Sequence, residues 1–368
     1  MTQYIVRRTI QAIPVLFLIS VVSFVLMLQA PGGPAAQFNQ NPHISTAQIN
    51  KWLQDWCLVR QPTLADTVRE YLGWLGVWNC SGGSFLSSHG LPNFLPPALG
   101  GGTNGVLHGD FGYSISTGQP VLSMILQRLP ATAILMGTAF VLWASIAILA
   151  GVIAAVKRYS FFDQSVTFVS YVFYSLPTFW LGLILIFVFG VTLRWFPVQG
   201  IINVRQSVAP FGTSAYWASL AANPLPNIWD IAAHLVLPVT TLIAVSIAGD
   251  SRFVRSAMLD SLHQDYVRTA RSKGISERQV IVRHALRNAL LPILTNLALE
   301  IAFLFSGAIV TETVFSWPGM GRLYYDGVNA RDYFLLMGIL LIGSVLVVLM
   351  NLLADVAYAF ADPRIRYD

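Results

Sequence analysis

The sequence predicts an all-α polytopic membrane protein. Hydrophobic residues fill 55% of the 368 positions and charged residues only 11%. Mean hydropathy is +0.61. The apolar residues gather in six long runs that lack the period-two alternation of a membrane strand. Soluble domains carry about 25% charged residues, so a soluble enzyme, a disordered chain and a disulfide-framework miniprotein are excluded. Aromatic residues reach 12%, which suits belts of Trp and Tyr at the membrane interfaces.

A helix needs roughly 20 residues to cross about 30 Å of hydrocarbon. The six runs are Ile10–Gln29, Ala131–Val156, Val166–Leu193, Ile231–Ile247, Pro292–Thr311 and Phe334–Tyr358. The fourth is the shortest, contains Pro238 and ends beside Asp250 and Arg252. Pro177 and Pro238 are expected to kink the third and fourth spans. The first run follows Arg7 and Arg8 but exceeds the apolar core of a signal peptide, about 7–15 residues, so an uncleaved helix is expected.

Orientation follows from the basic residues. With the N-terminus inside, most of the 22 Lys and Arg fall on the cytoplasmic side, concentrated between Arg252 and Arg287. Both termini are then cytoplasmic. Topology thus accounts for the net charge of +5, and no nucleic-acid partner is implied. The chain divides into an N-terminal tail with the first helix (1–30), an external segment (31–128) and a membrane core (129–368). In the external segment, Ile49–Trp56 and Leu64–Trp74 read as short amphipathic helices. Residues 81–105, rich in Gly, Pro, Ser and Asn, read as irregular loop. Cys57 and Cys80 both fall in this segment. Outside the cell they form a candidate disulfide, whose loop closure contributes roughly 3 kcal/mol; two unrelated thiols are the alternative.

Residues 255–291 form the longest cytoplasmic segment. A first helix ends with Lys273 in its last turn and Gly274 just beyond. A second begins at Ser276, where Ser276 and Gln279 have capping-box spacing. Gly274-Ile275-Ser276 is therefore a tight corner, and Val280, Ile281, Ala285, Leu286, Ala289 and Leu290 make one apolar face. Such a hairpin can lie on anionic lipid, pack beneath the bundle or dock a cytosolic partner.

Chemistry-bearing motifs are absent. A phosphate-binding loop needs Gly-Lys followed by Ser or Thr, and none of Lys51, Lys157 and Lys273 has those neighbours. The six histidines lie far apart, so neither catalytic nor metal-ligating residues are expected. Acids within membrane spans are the usual functional candidates. Glu300 lies near the middle of the fifth span and Asp355 near the inner end of the sixth, with Glu312, Asp250 and Arg252 near interfaces. Glu300 reads either as a pathway residue meeting a cationic amine or as an internal hydrogen bond between helices.

The stretch from Asp265 through Gly274 to Pro292 resembles the EAA loop of ABC importer permeases, and more narrowly the dipeptide, oligopeptide and nickel permease family. It departs from the general motif at its first two positions, and Gly274 lies farther from Pro292 than in the sugar-importer branch; both are usual for the peptide branch. The resemblance extends to Tyr4–Arg8, Pro31–Pro34, Gly109–Ser114, Arg128–Thr132, Ser175–Gly182, Thr311–Gly319 and Asp362–Arg364. Residues 77–104 stand out as an insertion.

The resemblance implies the six-helix permease fold of type I ABC importers in a bacterial or archaeal cytoplasmic membrane. It implies a second homologous permease, two ATP-binding subunits that use ATP and Mg, and an external substrate-binding protein. This chain would bind no cofactor beyond membrane lipid. The implied substrates are di- or oligopeptides, with nickel chelates and glutathione within the same family. ATPase coupling would fall to Arg268, Thr269, Ala270, Gly274, Ile275 and Ser276. Glu300, Pro177 and Trp180 are the candidate pathway residues. A self-contained secondary transporter or channel and a lipid-binding membrane scaffold are the competing readings.

Overall fold

The computed structural model describes residues 2–29, 45–55, 64–76, 105–205, 207, 209–303 and 308–361. Among these residues the α-helices follow in order as α1 (Thr2–Gln29), α2 (Thr46–Asp55), α3 (Leu64–Leu75), α4 (Val121–Val156), α5 (Phe161–Ser175), α6 (Thr178–Leu185), α7 (Ser214–Ala222), α8 (Pro224–Leu262), α9 (Asp265–Ser272), α10 (Glu277–Gln279), α11 (Arg287–Phe303), α12 (Ile309–Val314), α13 (Met320–Ala330) and α14 (Tyr333–Ala361). Two π-helical stretches, Ile186–Thr192 and Val280–Leu286, continue α6 and join α10 to α11. Among the described residues the only β-pairing is an isolated bridge between Tyr113 and Pro120. Cys57, Cys80 and the insertion 77–104 lie outside the described residues.

Among the described residues, α4 and α8 and large parts of α1 and α14 are long and apolar enough to cross a membrane. The third expected span departs from a single helix. It is two helices, α5 and α6, meeting at an angle of 101°. Pro177 causes the break: it has no N–H to donate, and the residue before it, Leu176, is extended (φ −87°, ψ 131°). Pro238 has no comparable effect, since α8 runs through it without interruption. The shortest expected span is thus part of a helix of 39 residues. The described part of α11 holds 17 residues, and the expected fifth span runs on into 304–307, outside the described residues.

The chain folds as two units. The first comprises Met1–Ile5, Leu129–Arg322 and Leu346–Asp368. Its core is built on α4, where Ala131, Leu135, Ala139, Trp143 and Ala147 recur every four residues and are all buried. Small residues on that stripe let neighbouring backbones approach. At Gly151 a Cβ would lie 2.6 Å from the Ser251 carbonyl oxygen and from Val254 Cβ of α8, so only glycine fits. On α5, Asp163 receives Arg255 of α8 through both carboxylate oxygens, at 2.7 and 2.8 Å. It also accepts from the Tyr159 N–H, while Ser160 caps the helix.

A buried carboxylate organises the turn after α12. Glu312 accepts from Thr132 Oγ1 at 3.0 Å and from the Arg322 N–H at 2.9 Å. Gly319 and Gly321 pack so closely on its carboxyl that a side chain at Gly319 would collide with it. Thr132 Oγ1 accepts in turn from the Met320 N–H, and Trp317 Nε1 donates to the Ala131 carbonyl at 2.8 Å. The Thr311–Gly319 motif is therefore a latch that fastens this turn to α4.

The second unit comprises Val6–Arg128 and Leu323–Val345. α2 starts with a capping box, Ser45 and Gln48 each accepting from the other's N–H at 3.2 and 2.9 Å. α2 and α3 fall where amphipathic helices were expected. α3 sets Tyr71 and Trp74 against Phe24 of α1, with Tyr71 Oη 2.7 Å from Ser20 Oγ. Gly105 packs directly on the Gly76 backbone, so the residues flanking the insertion meet. Asp332 is the polar hub. One of its oxygens accepts from Ser114 Oγ at 2.5 Å and from both the N–H and hydroxyl of Ser116; the other caps α14 through the Leu335 N–H. The Gly109–Ser114 motif is thereby explained as one half of a cap for the last span.

Glu312→Ala should strand buried donors on α4 and in the turn, costing roughly 2–4 kcal/mol, with Glu312→Gln less harmful. Thermal unfolding in detergent checks this; an alanine variant that melts with the wild type would contradict the latch.

Candidate functional site

The segment expected to be a hairpin is attached to the bundle more closely than its sequence suggested. Residues 255–262 belong to α8, so the first limb is not one separate helix; it breaks at His263 and Gln264 and resumes as α9. The second limb passes from α10 through the π-helical stretch into α11 without a gap. π-Helical turns inside α-helices occur often at functional positions.

The corner forms as the glycine requires. Lys273 donates its N–H to the Thr269 carbonyl at 3.2 Å and Gly274 to that of Arg271 at 3.0 Å. Gly274 has φ +73°, and a Cβ there would meet nothing within 4 Å. Glycine is needed here for its backbone conformation and not for space. Ser276 occupies the N-cap position, but its side chain makes no capping bond, so the expected Ser276–Gln279 box does not form. An ion pair closes the corner instead. Arg271 Nη2 and Nε reach the two oxygens of Glu277 at 2.7 and 3.1 Å. The guanidinium holds the Glu277 carboxyl below the usual carboxylate range.

The apolar face of the hairpin is turned inward. Val267, Ala270, Val280, Ala285 and Ala289 are buried in one cluster with Val254 and Met258 of α8, and Ile275 and Leu286 pack against it. Ser261 of α8 donates its hydroxyl to the Ala285 carbonyl at 2.8 Å and lies 2.6 Å from Tyr266 Oη. Packing beneath the bundle therefore occupies the face that could have lain on lipid. What stands exposed around the corner is polar and mainly basic: Arg268, Thr269, Arg271, Lys273, Ser276 and Arg278, with the acids Asp265 and Glu277 beside them, while Val282 is exposed farther along the second limb. Of the six coupling candidates, Arg268, Thr269, Gly274 and Ser276 are exposed, whereas Ala270 is buried and Ile275 half-buried. The last two anchor the corner. Beside the hairpin, α8, α9 and α11 line an open pocket of 340 Å³ whose walls include Ser256, Asp260, Gln264 and Asn288.

The pathway candidates are not one cluster. Glu300 meets Asn296 at 3.4 Å, and Asn296 also donates to Asp250 of α8 at 3.1 Å. Pro177 and Trp180 sit instead at the start of α6, with Trp180 exposed. Sequence reasoning missed the role of Glu312, Asp332 and the Asp163–Arg255 pair. Glu312 and Ser114, the partner of Asp332, stood in visible motifs, whereas Asp332, Asp163 and Arg255 stood in none, and nothing local named the partners. Among the described residues, no cluster of three or more His, Cys, Asp or Glu could hold a metal.

The Arg271–Glu277 pair is exposed, so it contributes at most about 1 kcal/mol. Because the folded carboxyl titrates lower than the free one, this contribution is present above the free carboxyl's range, near pH ~4.3, and is lost as pH falls through the folded value. Glu277→Gln should leave global stability almost unchanged and raise hydrogen exchange at Gly274–Ser276; unchanged exchange would mean the pair does not hold the corner.

Comparison with known proteins identifies the setting. The family described as "Binding-protein-dependent transport system inner membrane component" matches residues 147–367. The oligopeptide transport system permease protein AppB of Bacillus subtilis (strain 168) is 38% identical over 368 residues, covering 100% of both chains. The di/tripeptide transport system permease protein DppB of Pseudomonas aeruginosa (strain UCBPP-PA14) is 34% identical, covering 100% of this chain and 99% of its own. The dipeptide transport system permease protein DppB of Escherichia coli (strain K12) is 39% identical over 271 residues, 72% of this chain and 78% of its own. The chain, an all-α multi-pass membrane protein, belongs to the family of inner-membrane components of binding-protein-dependent transport systems.

Proposed function

We propose that this chain is one permease subunit of an ATP-driven peptide importer, coupled to cytosolic ATPases through the hairpin between α8 and α11. One observation carries the reading: the hairpin's apolar face is spent on its own bundle, while a polar, basic tip stands exposed around Gly274. A tip of that kind presents a rigid, charged surface to a soluble partner. The relatives, named for oligopeptide, dipeptide and di/tripeptide transport, supply the substrate class.

In this reading both termini are cytoplasmic. A second, homologous permease completes the pathway, an external binding protein delivers the peptide, and two ATP-binding subunits use ATP and Mg beneath the hairpins. Closure of the ATPases displaces the tip. Because Val267, Ala270, Val280 and Ala285 are packed on α8 and Ser261 bonds the second limb, the displacement passes into α8 and α11 together. Ion-paired α5 follows through Asp163 and Arg255. The result is a rigid-body change of access, with the broken α5–α6 helix as the element able to bend.

Ser276→Cys should crosslink to an ATP-binding subunit in native membranes, with a yield that changes with ATP. In the same system Gly274→Val should abolish ATP-dependent uptake while leaving insertion intact, since a left-handed backbone costs a branched residue about 1–2 kcal/mol or more. Gly274→Asn should be tolerated. A thiol at position 276 that labels from the cytoplasm yet captures no ATPase, or full uptake by the valine variant, would contradict the coupling role.

A further inference from the structure

Two carboxyl groups and an indole meet inside the first unit with their hydrogen bonding incomplete. Asp250 of α8 is 6% exposed and Trp143 of α4 is 5% exposed. Asp250 Oδ2, Glu300 Oε2 and Trp143 Nε1 are each buried without a hydrogen-bond partner. Buried polar groups are nearly always paired, so three orphans at one place require an explanation. The two carboxyls and the Trp143 indole are neighbours, and the indole N–H bonds to neither. Asn296 already donates to the other oxygen of each, at 3.1 and 3.4 Å. Two ionised carboxylates have only acceptors to offer and repel each other. What is missing between them is a donor.

Among the described residues, the surrounding charges supply none. Arg252, two residues along α8, is turned to α5, its guanidinium 4.9 Å from the Tyr171 ring centre and 5.6 Å from that of Tyr174, with Nε on the Ala248 carbonyl. Arg255 is engaged by Asp163, and Arg158 lies over Tyr159. Among the described residues, the polar groups that face the pair are Asn296 and Trp143. The orphan oxygens are shut off from solvent, which favours the smallest cation over a hydrated ion or an amine.

We propose that Asp250 and Glu300 form a proton-binding site, holding one proton between their carboxyl groups as a clasp from α8 to α11. The proton donates from one carboxyl to the other and gives both orphan oxygens a partner. Trp143 and Asn296 steady the single remaining negative charge. The clasp joins, within the membrane, the two helices that flank the hairpin. It keeps them together where the Ser261–Ala285 bond does so at the hairpin end. Raising the pH until the proton leaves places two like charges in the bundle and loosens α8 from α11.

Infrared spectra of the purified transporter complex in lipid test it directly. Wild type minus the D250N/E300Q variant should show the carbonyl stretch of a protonated carboxylic acid at neutral pH, fading as pH rises. The single variants D250N and E300Q should each lose the same band, because the remaining acid then receives an amide donor; they also serve if the double variant fails to assemble. No protonated-acid band in the wild type, or a band left unchanged by both single variants, would overturn the proposal. So would a sodium-dependent carboxylate signal, which would mark a metal ion in place of the proton. In uptake assays, E300Q should lose less activity than wild type on alkalinisation, since it cannot carry both charges; parallel losses would count against the clasp.

Discussion

Burial of the hairpin's apolar face against the last turns of α8 is the contact on which the rest of the structure depends. It turns a sequence that could lie on lipid into a fixed projection. Val280 and Ala285 from one limb and Val267 and Ala270 from the other share one cluster with Met258 and Val254. Each methylene removed from water contributes about 0.8 kcal/mol, so several fully buried side chains outweigh the exposed Arg271–Glu277 pair. The ion pair shapes the corner; the packing holds the hairpin to the membrane helix.

Carboxylates do the remaining fastening. In an apolar bundle an unpaired polar group is costly, and Glu312, Asp163 and Asp332 are each held by donors from distant parts of their own unit. Glu312 ties the turn after α12 to α4, Asp163 ties α5 to α8, and Asp332 ties Ser114 and Ser116 to the start of α14. The Glu312 and Asp332 contacts account for family motifs that carry no chemistry. They specify which helices are neighbours in a protein whose lipid-facing surfaces discriminate little.

The helices were legible because hydrophobic run length and glycine or proline punctuation act locally. Gly274 ended α9 where its sequence said it should, and α2 and α3 appeared as expected. Three features were not legible. Pro177 stops the chain, yet Pro14, Pro130, Pro238 and Pro292 are carried within α1, α4, α8 and α11, where the surrounding helix outweighs the lost hydrogen bond. The Ser276–Gln279 spacing suggested a cap, but the Ser276 side chain makes no capping bond and the corner is closed by Arg271 and Glu277, a choice that spacing does not decide. Asp332 and Ser114 are separated by 218 residues, and only the fold brings them together. Of the coupling candidates, the exposed ones were legible from the motif, and the anchoring role of Ala270 and Ile275 required the packing.

The central claim is that hairpin and α8 move as one body when the transporter turns over. Spin labels at positions 256 and 272, both exposed and on α8 and α9 respectively, measure it most directly. The distance between them should be the same in the nucleotide-free and ATP-bound transporter, even as the distance from position 272 to the ATPase changes. A hairpin that swings relative to α8 on ATP binding would contradict the account.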